Sequence, residues 1–129
     1  MNRAVTGYDI PHYPRPAAIE GYGRGGFRFA GMSHRGSLLC LPSGIWAWPV
    51  SRADELNARA FERVFAEAAS IGLFLLGTDV AWTLPVDLHA EFRDRKVTIE
   101  LMRTGQAANT YNILLGESRP VAAGLIAVE

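Results

Sequence analysis

The first half of the chain carries short apolar segments that are typical of β-strands. Phe27-Arg28-Phe29 alternates between apolar and polar residues with the two-residue period of a half-buried strand. Residues 37–41 are apolar and end at a Pro-Ser-Gly turn sequence, after which residues 45–48 return, and this order predicts a β-hairpin. Residues 18–22 are predicted to form a further short strand before the glycine-rich stretch.

The second half alternates between helical and strand patterns. Three helices are predicted: one from an N-cap at Asn57 to Gly72, one starting at Pro85, and one from an N-cap at Thr104 to Gly116. Apolar strands are predicted after these helices or between them, at residues 73–76, 97–101 and 121–128. Because strands alternate with helices, the pattern predicts a layered α/β fold with right-handed crossovers, and the N-terminal hairpin makes its sheet mixed.

Length and composition indicate one domain with no strong charge. The chain has 129 residues, and 13 basic residues balance 13 acidic ones, so general nucleic-acid binding is not expected. We interpret residues 1–16, which contain three prolines, as an extended N-terminal arm, and residues 17–129 as a single α/β domain. Cys40 has no partner for an internal disulfide, and no signal peptide or membrane-spanning segment is apparent. We therefore expect a cytoplasmic protein that does not span a membrane, although peripheral association is compatible with the sequence.

Several apparent motifs do not support a catalytic or cofactor site. The pattern Gly21-x-Gly23-x-x-Gly26 matches a dinucleotide fingerprint, but it leads into a strand rather than into the helix that holds a pyrophosphate. The three histidines lack the spacing of metal ligands. Cys40 lies in an apolar run, where a cysteine is usually a small buried side chain, and a Cys-His nucleophile formed with His34 is the less favoured alternative. The sequence predicts no cofactor, no metal and no catalytic residue.

The best candidate site lies where two predicted strands end. Ligands of open α/β sheets bind outside the carboxyl ends of the strands, near helix N-termini. The side chains and glycine that the sequence places there, or on the helix that follows, are Thr78, Arg103, Thr104, Gly105, Asn109 and Asn112. A cap, a glycine and an arginine beside free helix amides suit a small anion or a carboxylate. The alternative is that Thr104 only caps its helix while Arg103 points to solvent.

Three tryptophans define a second candidate, an interaction surface. Trp46 and Trp48 are two residues apart on one strand, so their side chains share a face, and Trp82 lies in a loop. Tryptophan is enriched in interface hot spots, but it also fills protein cores, and at least one of the three is expected to be buried.

The order of several motifs resembles a family of small domains. The motifs are YGRGGFRF (residues 22–29), HRGSLL (34–39), LGT (76–78), AANTYNILL (107–115) and VAA (121–123). They resemble the family of the mitochondrial respiratory complex I assembly factor three and the adipogenesis-associated domain proteins, over about residues 19–128. The resemblance implies a three-layer α/β fold, with a mixed central sheet flanked by helices and an N-terminal β-hairpin layer.

The resemblance also implies a function without catalysis. The mitochondrial relatives act as non-enzymatic factors in building complex I, and no catalytic residues are established for the family. Many relatives have an acidic residue at the position of Arg103 and often a cysteine at that of Asn109, so thiol chemistry is not expected here. The leading hypothesis is a protein-interaction module, an assembly or accessory factor with a protein partner. The rival hypothesis is an anion- or metabolite-binding domain or enzyme that uses the helix N-terminus at Thr104.

Overall fold

The computed structural model describes residues 10–129, and within that range it contains eight β-strands and three α-helices. The strands are β1 (Ile19–Gly23), β2 (Gly26–Phe29), β3 (Met32–Arg35), β4 (Ser37–Leu41), β5 (Gly44–Trp48), β6 (Leu73–Gly77), β7 (Thr98–Met102) and β8 (Val121–Leu125). The helices are α1 (Glu62–Ala66), α2 (Val86–Asp94) and α3 (Thr104–Gly116). Short 3-10 turns occupy Ala53–Glu55, Ala58–Phe61 and Ala68–Ser70.

The strands form two sheets. A central sheet has the strand order β5-β4-β8-β6-β7, and a smaller antiparallel sheet has the order β1-β2-β3. In the central sheet β4 runs antiparallel to β5 and β8, whereas β8 and β7 both run parallel to β6. The parallel pairs are possible because α2 connects β6 to β7 and α3 connects β7 to β8. The predicted mixed central sheet is therefore confirmed.

Each face of the central sheet is covered by its own apolar cluster. Along β6, Phe74 and Leu76 belong to one cluster and Leu75 to the other, as the alternation of a strand requires. The first cluster contains Phe61 and lies against α1 and α2; the second lies against α3 and the small sheet, which contributes Phe27. The chain is thus a single three-layer α/β domain, which confirms the predicted fold class.

The first predicted helix is shorter than its apolar spacing suggests. Asn57 does act as an N-cap, since its side chain accepts a hydrogen bond from the backbone N–H of Ala60, but a 3-10 turn comes first and α1 spans only five residues. The helix ends at Ala66, and the carboxylate of the next residue, Glu67, accepts hydrogen bonds from the backbone N–H and hydroxyl of Ser43, at 2.9 and 2.6 Å. The prediction of one helix up to Gly72 was wrong: this carboxylate is tied to the β4–β5 turn where the helix stops.

Two strand predictions also need correction. β3 was not predicted, because Met32–Arg35 is largely polar and exposed and owes its extended form to pairing with β2. The last strand ends at Leu125 rather than at residue 128, because its parallel neighbour β6 ends at Gly77, whose carbonyl accepts a hydrogen bond from the backbone N–H of Ile126. The small sheet is consequently a three-stranded layer.

Part of the predicted arm lies along the central sheet. Residues 1–9 lie outside the described residues. Tyr13 pairs with Ile45 on the edge strand β5, and the backbone N–H of His12 also donates to Ile45 O at 2.8 Å. Gly44 allows this approach, because a Cβ atom there would collide with Tyr13 O.

Candidate functional site

Three parallel strands end level with one another at one edge of the central sheet. Gly77 of β6 is in register with Met102 of β7 and with Leu125 of β8. Thr78 and Arg103 follow two of these strand ends directly, as the sequence predicted. This carboxyl edge is the place where open α/β sheets bind their ligands.

The N-terminus of α3 is already capped by an acidic side chain from the neighbouring loop. The backbone N–H of Thr104 donates to Oδ1 of Asp79 at 2.9 Å. Thr104 itself is fully buried, and its hydroxyl donates to Ile126 O at 2.8 Å. Arg103, not Thr104, is the N-cap residue, and it makes no side-chain cap bond. The predicted Thr104 cap was wrong, because the hydroxyl joins α3 to the chain after β8.

The other predicted ligand-binding residues do not converge on this helix end. The hydroxyl of Tyr22 occupies the space that a Cβ atom of Gly105 would need, so the side chain of Tyr22 covers the helix there. Asn112 is bound to the backbone of Ile19: its Oδ1 accepts from the N–H at 2.7 Å and its Nδ2 donates to the carbonyl at 2.8 Å. Asn109 is exposed on α3. Of the six predicted ligand-binding residues, only Thr78 and Arg103 line the cleft between the loop after β6 and the end of β7.

Two clefts flank the loop that follows β6. The first, of about 390 Å³, lies between residues 78–82 and residues 101–103. The second, of about 710 Å³, lies between the same loop and residues 51–54 and 126–129. The loop is apolar at its surface: Val80 is 60% exposed and Trp82 is half-buried in the wall of both clefts.

Two of the three tryptophans are part of the core and do not form an exposed surface. Trp46 and Trp48 are 8% and 4% exposed and share one cluster, as their spacing on β5 predicted. The indole N–H of Trp48 donates to Ala60 O at 2.9 Å, and the guanidinium of Arg63 lies 3.6 Å from the ring centre of Trp46. Of the predicted aromatic surface, Trp82 alone remains accessible from a cleft.

The cysteine and histidine side chains considered above as a nucleophile or as metal ligands are not arranged for nucleophilic catalysis or for metal binding. Cys40 is fully buried, and burial raises the pKa of its thiol, which disfavours the thiolate. The rings of His12 and His34 meet edge to face with centres 4.9 Å apart, a contact that their separation in sequence did not indicate. Burial, followed by the charge of His12, lowers the pKa of His34. Across residues 10–129 no three His, Cys, Asp or Glu side chains are grouped to hold a metal ion.

Comparison with known proteins identifies the family. A family described as a protein of unknown function (DUF498/DUF598) matches residues 19–126. The chain belongs to this family. An uncharacterized protein of Rhodobacter capsulatus is 38% identical over 116 residues, which cover 90% of this chain and 89% of that protein.

Other relatives of the chain carry a functional name. NADH dehydrogenase (ubiquinone) 1 alpha subcomplex assembly factor 3 of Danio rerio is 28% identical over 109 residues, which cover 84% of this chain but only 63% of that protein. The resemblance to complex I assembly factors is therefore confirmed, and the chain spans about three fifths of their length.

A solved structure supports both fold and family. A Bartonella henselae protein described as an outer membrane protein is 43% identical, with a TM-score of 0.87, and the match covers 92% of this chain and all of that one. In the present chain, none of the helices within residues 10–129 has the length and apolar character needed to cross a membrane.

Proposed function

We propose that this DUF498/DUF598 chain is a non-enzymatic protein-interaction module that serves as an accessory or assembly factor of a respiratory complex. The observation that carries the proposal is an exposed apolar segment at the carboxyl edge, made of residues 78–85 and of Val86 at the start of α2, which we call the edge loop. Its Val80 and Val86 are 60% and 84% exposed, and Trp82 lies between the two clefts. Exposed apolar patches bordered by polar residues mark interaction sites, and tryptophan is prominent in interface hot spots.

The base of the edge loop is anchored while its apolar side chains stay exposed. The backbone N–H of Thr78 donates to Met102 O at 3.0 Å, and the carboxylate of Asp79 holds the first amide of α3. A loop fixed in this way loses little conformational entropy when a partner binds, which favours affinity. The family relationship to assembly factors supports a protein partner of this kind.

The rival function, anion or metabolite binding at Thr104, is less well supported by this geometry. An anion at the start of α3 would have to displace the carboxylate of Asp79 from the Thr104 amide, and it would repel that carboxylate if both remained. We propose a cytoplasmic location, which the free and buried Cys40 supports. Fractionation of the native organism tests that location.

The test is affinity purification with chemical crosslinking from the native organism. The wild-type chain is compared with Val80→Asp, which places a charge on the edge loop, and with Ser70→Asp, an exposed position outside both clefts. We expect wild type and Ser70→Asp to recover a respiratory-complex subunit, and Val80→Asp to lose it. Recovery of no specific partner, or equal recovery by all three chains, contradicts the proposal.

A further inference from the structure

The outer face of the small sheet is a shallow basic depression. It has a volume of about 500 Å³ and is lined by all three strands of that sheet. We call it the arginine face, and its defining residues are Gly21, Gly23, Arg24, Gly26, Arg28 and Arg35. It shares no lining residue with the two clefts beside the edge loop.

Strand register places glycines and arginines together on this face. Phe27 and Phe29 of β2 point into the core, so Arg28 between them points outward. Arg28 is flanked by Gly21 of β1 and Ser33 of β3, whereas Arg35 is the register partner of Gly26. The outward rows therefore combine a floor of bare main chain with two arginine side chains.

The charge of this face has no acidic counterpart among the residues that line it. Arg24, Arg28 and Arg35 line the depression, and no Asp or Glu does so. Arg28 and Arg35 are diagonal neighbours on adjacent antiparallel strands, which places their Cβ atoms about 7 Å apart. Arg28 is held in place by a 2.9 Å hydrogen bond from Nη1 to the hydroxyl of Ser33. The two side chains carry like charges from neighbouring positions, and a negatively charged ligand between them reduces their repulsion.

The glycine at position 21 keeps the floor open. A Cβ atom there would meet no heavy atom within 4 Å, and the backbone of Gly21 is not in the left-handed region. Neither strain nor packing requires glycine at this position. Its effect on the surface is to leave room beside Arg28 for another main chain to approach.

We propose that the arginine face binds an extended acidic segment of a partner protein, with carboxylates at alternate residues. Every second residue of an extended chain advances by about 6.7 Å, which is close to the Cβ separation of Arg28 and Arg35. Guanidinium groups bind carboxylates through paired hydrogen bonds. Nucleic acid fits less well, because Tyr22, the exposed aromatic side chain beside the depression, is the register partner of the core residue Phe27 and therefore projects from the opposite face of the small sheet, with its hydroxyl against Gly105.

The test is fluorescence anisotropy with a labelled peptide, Ser-Glu-Ser-Glu-Ser-Glu-Ser, at low and high salt. We expect the peptide to bind the wild-type chain more weakly as salt rises, and its glutamine counterpart not to bind. Arg28→Ala and Arg35→Ala should each reduce affinity by about fivefold or more, and Gly21→Leu should do so without changing the charge. Arg93→Ala, on the exposed side of α2, is the charge-matched control and should leave affinity unchanged.

Four results would overturn the proposal. These are no binding of the glutamate peptide, equal binding of the glutamine peptide, unchanged affinity in both arginine variants, and tighter binding of a ten-nucleotide single strand of thymidines than of the peptide. Far-UV circular dichroism verifies that each variant is folded before its affinity is compared. Because none of these variants lies on the edge loop, a failure here leaves the proposed function standing, and the reverse also holds.

Discussion

Replacing Asn112 by alanine tests whether this residue is structural. In the structure its amide forms two hydrogen bonds with the backbone of Ile19, at 2.7 and 2.8 Å, and so joins the first strand of the small sheet to α3. A hydrogen bond contributes a net ~0.5–1.5 kcal/mol, so the loss of both predicts a decrease of about 2 kcal/mol in the free energy of unfolding. For a domain of this size that corresponds to a fall in Tm of roughly 8 °C.

The measurement is urea unfolding followed by the fluorescence of the buried Trp46 and Trp48. Asn109→Ala is the matched control, because Asn109 is exposed on the same helix and its replacement changes helix propensity by the same amount. We expect this control to be neutral or slightly stabilising. If Asn112→Ala destabilises the chain by less than about 0.5 kcal/mol relative to Asn109→Ala, the structural role assigned to Asn112 is refuted.

Three further predictions follow from the buried groups and the helix start. Because the folded structure lowers the pKa of His34, the unfolded chain binds more protons than the folded chain below pH ~6.5, and the free energy of unfolding should fall as pH decreases through that value. Urea unfolding at several pH values measures this dependence, and His34→Gln should abolish the part of it that His34 contributes. Cys40 should react with a thiol reagent only as fast as the chain unfolds, and rapid labelling of the folded chain would contradict its burial. Gly105→Ala should stabilise a Tyr22→Ala chain by up to ~1 kcal/mol through helix propensity. In the wild-type background the gain in stability should be smaller, because the new Cβ atom displaces the side chain of Tyr22. Equal gains in both backgrounds would refute the contact between the two residues.

Local patterns predicted much of the fold. Spacing and residue type alone predict that Phe27 and Phe29 share a buried face and that Trp46 and Trp48 lie on one side of β5. They also predict the N-cap at Asn57. The strand β3 could not be predicted in this way. The polar strand β3 exists because it pairs with β2, so its own sequence carries no alternation of apolar and polar residues to identify it.

At the candidate site the sequence located the region but not the contacts. Thr78 and Arg103 could be placed at the carboxyl edge, because each stands two residues after the end of a predicted strand. The acceptor for the backbone N–H of Thr104 is Asp79, 25 residues away, and the side chain that lies over Gly105 is Tyr22 of the small sheet. Such partners depend on how the layers pack, and no local pattern encodes them. Asn112 was predicted as a ligand-binding residue, and its partner in the structure, the backbone of Ile19, lies 93 residues away along the chain.

The central claim, that the edge loop is a protein interface, is tested most directly by photo-crosslinking. A photo-reactive amino acid is placed at Val80 in the native organism and, for comparison, at Asp94, an exposed position at the end of α2. We predict that the chain labelled at Val80 forms a defined adduct with a respiratory-complex subunit and that the chain labelled at Asp94 does not. No adduct from Val80, or the same adducts from both positions, would contradict the account.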